Sequence, residues 1–78
     1  MTKFVTFPAT ATYQSPANGE LLTDNYTMHV DASTVTAFRD NPENRTQTVI
    51  YLSNNFSFVT TEGVKEVADK LGVVYDDR

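Results

Sequence analysis

The residues able to do chemistry are few and far apart in this chain of 78 residues. His29 is the only histidine, and Met28 and Val30 flank it. Zinc or another transition metal needs several His, Cys or carboxylate ligands, and His29 has neither a cysteine nor a second histidine beside it. It reads as a surface residue on the polar side of a strand. Serines and threonines are abundant, but no Gly-x-Ser-x-Gly elbow is present and His29 is the only histidine available as a base. Threonine in such numbers suits the surface of a sheet. Asp40, Asn41, Glu43 and Asn44 bring oxygen ligands close together, the raw material of a calcium loop. The order of ligands and the central glycine of an EF-hand are missing, so a solvated turn is expected. Gly19, Gly63 and Gly72 lie too far apart to form one phosphate-binding loop. No catalytic residue, metal or cofactor is therefore expected, and the chain reads as non-enzymatic.

The elements that would position any site are organised around Thr46 to Leu71, which reads as strand, turn, strand and helix. Val49–Leu52 and Phe56–Val59 are β-branched and aromatic runs. A two-residue type I′ turn at Asn54-Asn55 sets Leu52 opposite Ser57, Tyr51 opposite Phe58 and Ile50 opposite Val59. Ile50, Leu52 and Val59 then share one face, and Val49, Tyr51, Phe56 and Phe58 the other. Thr61 is the expected N-cap of the helix. Val64, Val67, Ala68 and Leu71 form its apolar stripe, Lys65, Glu66, Asp69 and Lys70 its wet side, and Gly72 its C-terminal stop.

Upstream, Val5, Phe7, Ala9, Ala11 and Tyr13 alternate with polar residues, which predicts a strand. Pro8 cannot donate to a ladder, so that strand is expected at an edge or with a bulge. Ser15 to Asp24 reads as a connection turning on Pro16 and Asn18-Gly19, with Leu21 and Leu22 tucked beneath the sheet. A further strand is expected from Tyr26, breaking near Asp31–Ser33 and resuming through Val35 and Phe38 with a bulge. Arg39–Arg45 reads as a polar loop, and Val73–Tyr75 as a short last strand or packed tail ahead of a frayed Asp76-Asp77. The fold class is α+β: one domain over 1–78, an antiparallel sheet of four to five strands, and one C-terminal helix on one face.

The stretches DASTVTAF, TVIYLSNN and FVTTEGVKEV, between Asp31 and Leu71, resemble the FlbD-like small proteins associated with bacterial flagellar operons. Asn55 stands where that family has glycine, and residues 1–25 have no counterpart in it. The resemblance implies the hairpin–helix unit and a non-enzymatic role, with no catalytic residues to transfer. Unattached small domains of this kind are also frequent among phage-encoded proteins.

Composition narrows the partners. A net charge of −4 with only six Lys and Arg disfavours nucleic acid, whose phosphates require clustered cations. Stacking of bases on the sheet aromatics is the one nucleic-acid reading left. With no cysteines, no signal-peptide pattern and no long apolar run, the sequence points to a cytoplasmic protein without membrane contact. A single helix covers one sheet face, so the apolar set Val49, Tyr51, Phe56 and Phe58 requires an explanation. Either the N-terminal strand, Leu21-Leu22 or the Val73–Tyr75 tail folds over it, or it meets a protein partner or a second copy of the chain. The expected function is a small binding or regulatory module acting through protein contacts. The alternative is a structural subunit that self-associates through an edge strand or the aromatic face.

Overall fold

The computed structural model describes residues 3–73. Five strands, β1 (Phe4–Gln14), β2 (Leu21–Asp31), β3 (Val35–Asn41), β4 (Asn44–Leu52) and β5 (Ser57–Thr60), precede one helix, α1 (Val64–Leu71). The sheet is antiparallel in the order β2-β1-β5-β4-β3, so the α+β expectation of a sheet with one C-terminal helix holds.

The two edge strands are joined by only the 3-10 turn Ala32–Thr34. A flat five-stranded sheet would place its edges about 19 Å apart. The four chain steps from Asp31 to Val35 reach about 14 Å at most. The sheet must therefore curl, bringing the end of β2 towards the start of β3. Two backbone hydrogen bonds hold that closure: Ala32 N–H donates to the Lys3 carbonyl (2.9 Å) and Ser53 N–H to that of Thr34 (2.8 Å). Asp31 Oδ1 accepts from both the amide and the hydroxyl of Ser33, fixing the corner.

Inside the curl lie Val5, Phe7 and Ala9 of β1, Val30 of β2, Ile50 of β4 and Phe58 of β5, closed by Val67 and Ala68 of α1. The Phe7 and Phe58 rings meet tilted, centroids 6.0 Å apart, a favoured aromatic geometry. Thr48 and Thr60 are buried with their hydroxyls satisfied. Thr48 donates to the Glu62 carbonyl (2.8 Å) and Thr60 to the Pro8 carbonyl (2.7 Å).

Several expectations are corrected. The central turn is a three-residue loop, Ser53–Asn55. Asn55 N–H donates to the Leu52 carbonyl and Leu52 N–H to that of Phe56, and only Asn55 takes positive φ (66°). This is the alternative hairpin closure, a turn followed by one left-handed residue. The extra loop residue moves the register by one: Ile50 faces Phe58, Val49 faces Val59 and Tyr51 faces Ser57. A one-residue slip exchanges the faces, so Phe58 enters the core beside Ile50 and Val59 leaves it.

β1 lies in the sheet interior, not at an edge. Pro8 is accommodated because its carbonyl, and therefore its missing N–H, points to the β5 side, where it accepts from Thr61 N–H (3.1 Å) just beyond the last β5 pair. β2 begins at Leu21 rather than Tyr26, and Leu21 and Leu22 extend the strand into solvent instead of tucking under the sheet. The expected polar loop at Arg39–Arg45 is a hairpin turning on Pro42-Glu43, with Asn41 paired to Asn44.

The helix starts two residues later than its sequence suggests: Gly63 is the N-cap, and Thr61 instead donates its N–H to the Pro8 carbonyl just beyond the last β5 pair. Gly72 ends it with φ 73°, as expected of a left-handed stop. Lys70 leaves the wet side. Its ammonium donates to the Thr6 carbonyl (2.9 Å), pairs with Glu62 (2.8 Å) and sits 5.2 Å from the Phe7 ring centroid. Val73 is exposed, while the tail expected at Val74-Tyr75 and the frayed Asp76-Asp77 lie outside the described residues.

Candidate functional site

The register decides the fate of the aromatic set. Phe58 is 4% exposed and belongs to the core. Val49 is half-buried against Val59 on the helix-free face, where Tyr51 is 40% exposed. Phe56 faces Leu52 at the turn, on the same side as Phe58, and is exposed there. The four residues do not form one patch. Leu21-Leu22 does not cover them, and Phe58 is covered by Phe7 of β1.

The polar candidates are engaged in structure. His29 Nδ1 lies 3.1 Å from Thr6 Oγ1 across β1–β2 on the exposed face. Asp40 pairs with Arg45 at 2.7 Å. Asn41 Oδ1 accepts from Glu43 N–H, and Asn44 Oδ1 from the amide and hydroxyl of Thr46. These side-chain oxygens serve as local turn acceptors. Among the described residues no group of three or more His, Cys, Asp or Glu is placed to hold a metal ion. A shallow groove of about 550 Å³ crosses the sheet between the β3–β4 tip and β1, lined by polar residues such as Thr10, Thr12, Gln47 and Ser57.

The apolar surface that stands out lies elsewhere. β1 pairs with β5 only at Ala9 and Thr10, whereas it pairs with β2 along its whole length. Ala11–Gln14 and Leu21–Asp24 therefore project as a two-stranded arm, closed by the Pro16–Gly19 turn with Gly19 at φ 72°. The opposed pairs Ala9/Tyr26 and Tyr13/Leu22 place Tyr26, Tyr13 and Leu22 on the same face as Val5 and Phe7. The arm continues the core face beyond the helix, leaving Tyr13 51% and Leu22 37% exposed. Sequence reasoning missed this surface. Its signal was present: Leu22, Tyr26, Met28 and Val30 share one parity, interrupted by Asp24, but the nearby turn residues drew Leu21–Asp24 into a loop.

No helix among the described residues is long and apolar enough to cross a membrane. Comparison with protein-family models, curated proteins and solved structures finds no match for the chain.

Proposed function

We propose that this protein is a non-enzymatic binding module of the cytoplasm that acts through protein contacts, with the β1–β2 arm as its contact surface. The observation that carries this reading is the arm's uncovered face, where Tyr13, Leu22 and Tyr26 prolong the apolar side of the sheet past the end of the helix. Tyrosine suits such a role because its ring buries much area with little entropy loss while its hydroxyl stays wet at a rim. The FlbD-like resemblance implies the same non-enzymatic class. Nucleic acid is the weaker reading, since the chain is acidic and its sheet aromatics divide between core and two faces.

The test is a double substitution, Tyr13→Ser with Leu22→Ser. Both side chains are exposed, so the thermal melt should stay within a few degrees of the parent, while a partner captured by the tagged parent chain should be lost. Undiminished capture by the double variant would refute the assignment of the arm.

A further inference from the structure

Resting on the reading of the arm as a contact surface, we infer that its partner is a second copy of this chain, paired antiparallel along β2 with the two-fold axis at Asn25. The backbone dictates which groups are free. Ala32 N–H bonds to Lys3 and Ser15 N–H to Glu20, which fixes the parity of the β1–β2 ladder. Even-numbered residues of β2 bond to β1, so the N–H and C=O of Leu21, Thr23, Asn25, Thr27 and His29 point outward. Among the described residues β2 is an edge strand that pairs only with β1, so these outward groups have no strand partner.

The two sheet edges differ in how they resist such pairing. β3 has seven residues, carries Arg39, and is broken by register shifts between Val35 and Ala37 and between Asp40 and Asn41. Bulges and cations of this kind blunt an edge against strand addition. β2 offers eleven residues in unbroken register, with no proline, lysine or bulge. It has the features of a strand left open to another.

Side-chain matching selects the register. A two-fold at Asp24 would set two carboxylates directly opposite each other, which is repulsive. A two-fold at Tyr26 would set Asp24 against Met28 and Leu21 against Asp31. A two-fold at Asn25 pairs Leu22 with Met28, Thr23 with Thr27, Asp24 with Tyr26, Leu21 with His29 and Asn25 with itself. Apolar then meets apolar, threonine meets threonine, and a phenol lies beside the carboxylate. Met28 already packs against the core, so Leu22 of one copy would extend the core of the other. The arm face left bare in the single chain gains cover in the same step. Pairing Leu21–His29 engages roughly 30 Å of strand, and a contact confined to one strand edge falls at the low end of specific interfaces. The dimer is accordingly concentration-dependent.

The chain contains no cysteine, so a single introduced thiol can pair only with its counterpart on another copy. Opposed residues of a hydrogen-bonded antiparallel pair have Cα atoms about 5.5 Å apart, inside the Cα range of a disulfide although their Cβ atoms are wider than its ideal, so the readout is the rate relative to the other positions. Asn25→Cys should therefore cross-link readily with oxidised glutathione to twice the 8.7 kDa chain mass. Thr23→Cys and Thr27→Cys should each lag alone and cross-link when mixed. Asn25→Pro, which removes an outward N–H from an edge strand, should keep the folded circular dichroism spectrum and scatter light as a monomer. If Asn25→Pro does not fold, the cysteine rates decide. Cross-linking of Asn25→Cys no faster than of Thr23→Cys alone, or a parent chain monomeric up to about 1 mM, overturns the inference. In that case, a different protein lost on Tyr13→Ser with Leu22→Ser would leave the contact-module reading standing. No dependence of mass or partner on the arm would remove both.

Discussion

Replacing Phe58 by alanine tests the register on which the core depends. Phe58 is buried against Phe7 and Ile50, whereas Tyr51 projects from the helix-free face at 40% exposure. Truncating a buried phenylalanine costs about 3–5 kcal/mol, from lost transfer energy and the cavity left behind. A domain of this length is expected to hold about 4–12 kcal/mol in all. Phe58→Ala should thus remove about a quarter or more of the total stability. With a urea slope of about 1 kcal/mol/M for so small a domain, the midpoint should fall by about 3–5 M or the chain should be unfolded from the start. Tyr51→Ala removes a ring that is partly hydrated already and should cost about 1 kcal/mol or less. Urea titrations followed by circular dichroism on the two variants measure both numbers. Equal losses, or a larger loss for Tyr51→Ala, would restore the two-residue turn with Val59 in the core and refute the packing described above.

Two further substitutions probe how local geometry supports that core. Asn55→Gly should raise the melting temperature by a few degrees, since Asn55 alone in the turn bears the left-handed φ that a Cβ disfavours; a lower melting temperature would contradict the loop geometry. Thr60→Val keeps shape but deletes the buried hydroxyl that donates to Pro8 and accepts from Glu62 N–H, so a loss of about 1–2 kcal/mol is expected in denaturant melts. An unchanged midpoint would mean that these bonds add nothing to closing β5 onto β1.

Much of the architecture was legible in the residues because hydrophobic period and terminator chemistry are local. The alternation from Val5 and the β-rich runs around Ser53–Asn55 named strands. The Val64, Val67, Ala68, Leu71 spacing and Gly72 named a helix and its end. What stayed hidden were choices between local solutions of similar energy. Ser53-Asn54-Asn55 closes a hairpin with two loop residues or three, and the difference decides which of Phe58 and Val59 is buried. Burying the larger apolar side chain is worth more than the turns differ by, so packing made the choice. Pro8 announced a missing donor, but only the fold revealed that it faces the side where β5 ends. Lys70 looked like a solvated residue until the curled sheet carried the Thr6 carbonyl and the Phe7 ring beneath it. The candidate surface divides the same way. The sequence determined that an acidic, cysteine-free chain with scattered polar groups carries more apolar surface than one helix covers. Tertiary structure alone decided where it is bare, because β5 is four residues long and leaves the ends of β1 and β2 to stand as an arm.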